Sequence, residues 1–173
     1  MKIRRFTDSD AQAVSEMIRA FRYPMGVEMG RFLAAPCGEY HTRILDLKRT
    51  DGVNYALMDG GIHHLRYYGQ MMAVNIPPLR QVPERAGARE PYCLCGSLCT
   101  AADVLARGAK LFPLETGDEL VFGRCGAYSV SEASALFLSR DLPEVWLKQG
   151  GAERLLRAGK ATWPLNTAED QVR

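Results

Sequence analysis

The chain has no apolar run long enough to cross a membrane, no block of like charge, no internal repeat and no Cys-x-x-Cys pair. Each absence excludes something. Without a run of about 20 apolar residues there is no helical membrane span. The opening Met1-Lys2-Ile3-Arg4-Arg5 is polar rather than signal-like, so a cytoplasmic location is expected. Lys and Arg are scattered and the formal net charge is only +2, which argues against a nucleic-acid patch. Five cysteines, an odd number, argue against a secreted disulfide framework. Cys93, Cys95 and Cys99 invite a zinc reading, with His63 and His64 as further ligands. Their C-x-C-x3-C spacing is not that of common structural zinc sites. Along a strand, Cys93 and Cys95 share one face and read as small buried hydrophobes. No metal is expected.

What is present describes a globular chain. Hydrophobic residues make up 47% and charged residues 24% of the 173 positions, enough for one domain with a real core. Met1 to Arg22 reads as a strand and a helix. Ser9-x-x-Gln12 is a capping box, and Val14, Met17, Ile18 and Phe21 recur at the spacing of one buried helix face. Pro24 requires the helix to stop before it. From Gly30 the pattern is mostly strands. Glu39 to Lys48 and Val53 to Met58 flank the turn Thr50-Asp51-Gly52. Met71 to Ile76, Tyr92 to Cys95, Glu119 to Gly123, Glu144 to Leu147 and Arg154 to Arg157 read as further strands. Gln81 to Glu90, polar with Pro and Gly, reads as a loop. The predicted fold is mainly β, barrel-like or sandwich-like, with an N-terminal strand and helix and one or two short helices. Three parts are expected: an extension over 1–26, a β domain over 27–166 and a flexible tail over 167–173.

The most informative stretch is Gly117 to Arg140. A short apolar strand, Leu120-Val121-Phe122, runs into the bend Gly126-Ala127-Tyr128. Ser129-x-x-Glu132 then has the form of a capping box, which predicts a helix opening directly after the bend. Small residues there let a ligand approach the backbone, and Tyr128 can present its hydroxyl. Three other stretches accompany it in order: Gly30-Arg31-Phe32-Leu33 with Gly38-Glu39-Tyr40; Asp59-Gly60-Gly61-Ile62-His63-His64; and Gly96-Ser97-Leu98-Cys99-Thr100-Ala101-Ala102-Asp103. Phe137-Leu138-Ser139-Arg140 with Leu142-Pro143-Glu144-Val145 closes the series.

In that order, these segments resemble the C-terminal β domain of the fold-type III pyridoxal-phosphate decarboxylases, the diaminopimelate and ornithine decarboxylase group. The resemblance spans about Val27 to Asn166. Residues 1–22 instead resemble the first strand and helix of a GNAT acetyltransferase, but no later Gly-rich acetyl-coenzyme A segment follows. A plain amphipathic helix packing on the domain or a partner is the favoured reading there.

The resemblance implies α-decarboxylation of an amino acid with pyridoxal phosphate as cofactor. In the family an N-terminal (β/α)8 barrel, which needs roughly 250 residues, carries the lysine that binds the cofactor covalently. This chain has no room for it, and the resemblance implies part of an active site, inactive alone. The partners implied are a barrel domain or subunit, or a second copy in a homodimer, with an amino-acid substrate; the alternatives are a noncatalytic interaction module and a separately encoded half-enzyme completing a barrel subunit.

The resemblance also assigns roles to residues. The cysteine matching Cys99 reaches across the dimer interface into the partner's active site, and a thiol ahead of a short helical turn can be activated. The position matching Thr100 is often acidic and meets the substrate's distal amine, so the threonine departs from diaminopimelate and ornithine specificity. Asp103 reads as substrate-side polarity, or as a helix-capping partner of Thr100. Tyr128 reads as a cofactor contact near the phosphate, or as a core tyrosine bonded to backbone. Arg66 reads as a bidentate partner of the substrate carboxylate, or as a surface arginine. His63 and His64 read as supports for that carboxylate, or as solvated turn residues.

None of Lys2, Lys48, Lys110, Lys148 and Lys160 has the context of the cofactor lysine. Treatment of the chain with pyridoxal phosphate and borohydride is therefore expected to leave only scattered, substoichiometric lysine adducts on peptide mapping. A single stoichiometric adduct would contradict the expectation.

Overall fold

The computed structural model describes residues 12, 15–16, 19–20, 28–66 and 76–168. Gln12, Ser15, Glu16, Arg19 and Ala20 are helical and exposed. Their spacing is that of the polar face opposite the apolar pattern of the sequence. The apolar positions of that pattern, the opening strand, and most of the expected strand from Met71 lie outside the described residues. Ile76, at the end of that expected strand, is not in a strand.

The domain is mainly β. Eight strands are described: β1 (Glu39–Thr50), β2 (Val53–Met58), β3 (Leu79–Val82), β4 (Glu90–Cys95), β5 (Val104–Leu111), β6 (Glu119–Gly123), β7 (Val145–Gln149) and β8 (Ala152–Arg157). The first six form one sheet in the order β3-β6-β1-β2-β4-β5, and β7 and β8 form a separate antiparallel pair. A short helix, α1 (Gly30–Ala34), leads through a 3-10 turn into β1.

β1 is the long strand, and it serves two neighbours in succession. Glu39 to Arg43 pair with β6, and Ile44 to Thr50 pair with β2. The change comes at a bulge: Ile44 opposes Met58 and Asp46 opposes Leu57, so Leu45 is an extra residue. An extra residue shifts the alternation and sharpens the twist. Thr42 and Ile44 point inward before it, whereas half-buried Leu47 faces in after it. This curls the sheet into a half-barrel around Ile44, Met58, Leu94, Leu105, Leu120 and Phe122, each at most 1% exposed. β2 and β4 are parallel, so a long connection separates them. That connection holds the Asp59–His64 turn and edge strand β3.

Several expectations need correction. The Gln81–Glu90 loop is entered by β3, which takes Gln81 and Val82, and it ends where β4 begins at Glu90. The polar Gln81 is buried because its Nε2 donates to Asp118 Oδ2 at 3.3 Å, while Arg85 closes the loop on Asp118 and Glu115, each at 2.6 Å. β5 has no counterpart among the strands expected from the sequence; Gly108 at φ +71 interrupts its pattern. The predicted helix from Ser129 is instead a chain of turns ending in a 3-10 turn at Phe137–Ser139. Ser129 Oγ bonds the Ala127 carbonyl, and Glu132 pairs with Arg31 at 2.8 Å. Glu132 is thereby turned to Arg31 rather than back to the Ser129 N–H. No helical turn follows Cys99 either: Ser97 to Ala102 form bends and a turn.

Among the described residues, Phe122 is the largest fully buried side chain. Phe122→Ala is expected to lower the unfolding free energy by about 3–5 kcal/mol, read from urea midpoints at unchanged m-value. A cost below about 1 kcal/mol would place the centre of the core elsewhere.

Candidate functional site

Three segments meet at one end of the sheet: the Asp59–His64 turn after β2, the Gly96–Asp103 loop between β4 and β5, and the Arg140–Asp141 stretch. The first two are joined by a buried carboxylate. Asp103 is 2% exposed. Its Oδ1 accepts the Ile62 N–H and its Oδ2 the Leu98 N–H, both at 2.8 Å. Gly61 and Gly96 flank it so closely that a Cβ on either would run into the carboxylate. Burial raises the pKa of Asp103 despite the two amide donors. Ser97 adds two more ties, from its N–H to the Gly60 carbonyl and from its hydroxyl to the Asp59 carbonyl. Thr100 Oγ1 accepts the Ala102 N–H at 3.3 Å, so Asp103 is a clasp between loops and not the cap of a helix at Thr100.

Clasped in this way, the loop presents Cys99 exposed at its tip, with Thr100 half-buried beside it. Arg140 crosses from the third segment, its Nη2 donating to the Ser97 carbonyl at 3.0 Å.

The two turn histidines differ. His64 Nε2 bonds the Asp141 carbonyl and Nδ1 bonds Tyr40 Oη, both at 2.9 Å. A carbonyl only accepts, so Nε2 carries the proton and Tyr40 donates to Nδ1. Tyr40 is held as the neutral phenol, its pKa raised chiefly by burial. His63, read as a carboxylate support or a solvated turn residue, is 3% exposed and lies 3.9 Å from the His64 ring, centroid to centroid. Its Nδ1 is buried without a partner among the described residues. Burial first, then His64 and Arg140, lower its pKa to about 4.

The remaining candidates lie on the other side of the same turn. Arg66 N–H donates to the Ser129 carbonyl at 2.8 Å, and Ser134 N–H to the Ile62 carbonyl at 2.9 Å. The Asp59–Arg66 segment thus ties the Cys99 loop to the Tyr128 segment by backbone bonds. The Arg66 side chain is exposed. Tyr128 is 52% exposed and adopts φ +62, a left-handed conformation uncommon for a non-glycine residue. Arg31 sits over its ring, 5.0 Å from the centroid, and pairs with Glu132. The Tyr128 hydroxyl lies against Gly30 and has no hydrogen-bond partner among the described residues. It is not a core tyrosine bonded to backbone.

Sequence reasoning missed Tyr40, Arg31 and Arg140 as site residues. All three lie inside the motif segments, Arg31 next to Gly30 and Tyr40 two residues after Gly38. Cys93 and Cys95 do lie together, sulfurs 3.9 Å apart, with Cys93 buried. Burial and then Cys93 push the Cys95 thiol up to about 12. Among the described residues no group of three or more potential metal ligands is present.

A curled sheet with this turn, loop and bend has a counterpart among known proteins. The family described as pyridoxal-dependent decarboxylase, C-terminal sheet domain, matches residues 28–126. The chain belongs to this family. Among curated members, the 2-[(L-alanin-3-ylcarbamoyl)methyl]-2-hydroxybutanedioate decarboxylase of Staphylococcus aureus is 35% identical over 72% of the chain and 33% of its own length. The diaminopimelate decarboxylase of Deinococcus radiodurans is 33% identical over 92% of the chain and 41% of its own length. The crystal structure of Helicobacter pylori diaminopimelate decarboxylase complexed with L-lysine shares the fold. Its TM-score is 0.74 at 23% identity, covering 91% of this chain and 39% of that one. The chain thus spans well under half the length of the decarboxylases it matches.

The burial of neutral His63 sets a pH dependence. Its folded pKa is below the usual 6.5, so between pH 6.5 and about 4 the unfolded chain binds a proton that the folded chain does not. The stability is present above pH 6.5 and is lost as pH falls through that window. His64 is shifted the same way, chiefly by burial. His63→Leu is expected to recover about 2–3 kcal/mol of the acid-induced loss, read as the difference between pH 7.5 and pH 4.5 unfolding curves of the two proteins. Equal acid losses in both would show that His63 is protonated in the folded state.

Proposed function

We propose that the chain supplies one side of the active site, and part of the dimer interface, of a pyridoxal-phosphate-dependent amino-acid α-decarboxylase, and that it does not turn over substrate alone. The observation that carries this reading is the pairing of an exposed thiol and an unbonded phenol on a backbone matching the family's C-terminal sheet domain.

The residues present suit the cofactor. The Tyr128 hydroxyl has a donor to give and no protein acceptor among the described residues, as a contact for a phosphate ester requires. Arg31, held by Glu132 and stacked on the ring, fixes the phenol's direction and adds positive charge beside it. When bound, pyridoxal phosphate supplies the electron sink for loss of carbon dioxide. The chain's own part is placement. The exposed Arg66 guanidinium can hold a substrate carboxylate bidentately. Cys99 and Thr100 offer a thiol and a hydroxyl at the tip of a loop that Asp103 positions from behind. Asp103 acts through that loop and does not itself touch substrate.

The partner is a (β/α)8 barrel domain or subunit, or a second copy of the chain. Phe32 at 74% and Leu165 at 71% exposure, with Trp163 at 59%, leave large apolar side chains in water, which favours a covering surface. The location expected is cytoplasmic; among the described residues no helix is long and apolar enough to cross a membrane. Identity leaves the substrate open, because relatives at 35% and 33% identity are named for different substrates.

Affinity-tagged chain is expected to copurify with a barrel-bearing protein, and light scattering over a dilution series is expected to show association. Cys99→Ala is expected to change stability by less than about 0.5 kcal/mol, because the thiol is exposed, while abolishing or strongly reducing decarboxylation in the assembled enzyme. A strictly monomeric chain that captures no barrel protein would sink this reading.

A further inference from the structure

Away from the Cys99 loop, the sheet brings two thiols together. Cys93 and Cys95 alternate along β4 with the core residues Tyr92 and Leu94. Successive side chains of a strand point to opposite faces, so both thiols lie on the face turned away from the core. Their partners across the parallel ladder, Tyr55 and Leu57, lie on that face too, as do Lys48 and Asp46, which pair with those two residues from β1. The two sulfurs are 3.9 Å apart, Cys93 buried and Cys95 half-buried. Cys95 opens onto a cavity of about 370 Å³, lined also by Asp46, Lys48, Thr50, Tyr55 and Leu57. The third cysteine of the sequence pattern, Cys99, is exposed on its own loop.

This pair is better suited to bridging by an ion than to closing on itself. Residues two apart on a strand have Cα atoms about 6.6 Å apart, near the upper end of what a disulfide spans. Closing the pair would bend β4 where β2 and β5 hold it on both sides. Two sulfurs each about 2.3 Å from one ion stand at most about 4.6 Å apart, and 3.9 Å lies within that reach.

The number and softness of the ligands select the ion. Zinc sites and iron–sulfur clusters take four such ligands, and no third Cys, His, Asp or Glu joins the pair among the described residues. Soft thiolates without hard partners suit Cu(I). Burial, then Cys93 and Asp103, keep the Cys95 thiol protonated against the pull of Arg107. The site is therefore a neutral dithiol until an ion with strong affinity for sulfur displaces the protons. Binding exchanges two S–H protons for one Cu(I) and leaves a bis-thiolate of net charge −1, with no change of oxidation state. Two cations are placed to offset that charge. Arg107 is aimed by a bulge: Tyr92 opposes Ala109 and Leu94 opposes Ala106, so β5 carries an extra residue over Arg107-Gly108, and bulges redirect side chains. Lys48 stands in the cavity wall. Asp46, the acid of that wall, is turned to the Leu47 N–H.

We propose that Cys93 and Cys95 form a two-coordinate site for Cu(I), entered from the cavity between β1, β2 and β4. It is separate from the Cys99 loop and does not depend on the decarboxylase reading.

The test is an anaerobic titration of the reduced full chain with Cu(I) in competition with the chromogenic chelator bathocuproine disulfonate. One equivalent is expected to be withheld from the chelator, with a sulfur-to-copper charge-transfer band in the ultraviolet. Copper X-ray absorption is expected to show a shell of two sulfurs. Cys99→Ala is expected to keep the equivalent. Cys95→Ser is expected to weaken copper retention by at least about a hundredfold, because loss of a ligand's supporting hydrogen bond alone costs about 10–100-fold. The sulfur count is read on the unaltered chain, so it does not depend on a variant's folding. No withheld copper, a shell of three or more ligands, loss of the equivalent in Cys99→Ala, or full retention in Cys95→Ser each overturns the proposal.

Discussion

One buried carboxylate holds the site together. Asp103 sits immediately before β5, and its two oxygens bond the backbone of the turn after β2 and of the loop after β4. Two loops far apart in the chain are thereby fixed against each other by charge-assisted bonds, which are stronger than neutral ones. Burying a carboxylate is costly without such partners, and the raised pKa of Asp103 reflects that cost. The glycines at 61 and 96 follow from it, because any side chain there would occupy the space of the carboxylate. The placement of Cys99 and Thr100 follows in turn, since the loop has no helix of its own to shape it.

The sheet supplies the platform. β1 changes partner at the Leu45 bulge, so one strand belongs to both halves of the curl and brings the ends of β2 and β4 to the same edge as the entry to β1. Tyr40, from the β6-paired half, can then donate to His64, from the turn beyond the β2-paired half. That bond, with the His64 to Asp141 bond, carries the order of the core out to Arg140. Arg140 is thus positioned by the fold.

Much of the platform was legible beforehand. β1, β2, β4 and β6 announce themselves by short apolar or β-branched runs bounded by Gly, Pro and Asp, and the Thr50-Asp51-Gly52 turn falls where its chemistry requires. β3 and β5 did not. Gln81 looks like a loop residue until Asp118 takes its amide, and the Ala and Gly of β5 carry weak strand signals. The helix after Tyr128 failed for a related reason. Ser129 and Glu132 have the spacing of a capping box, but a residue 101 positions earlier, Arg31, takes the glutamate.

The amino-acid order by itself determined the class of fold, the family, and the segments from which the site is built, because glycine turns, strand periodicity and ordered motifs are local properties. It also placed Cys99, Thr100 and Tyr128 on those segments. Only the tertiary structure decided what each polar group is for. A carboxylate reads the same in the sequence whether it meets water, substrate or a backbone amide, and the difference lies in burial and in partners brought from remote segments. Asp103 became a clasp, His63 a buried neutral imidazole, and Arg140 a tie to the Ser97 carbonyl because neighbours distant in sequence and close in space consumed, or left free, their hydrogen-bonding capacity.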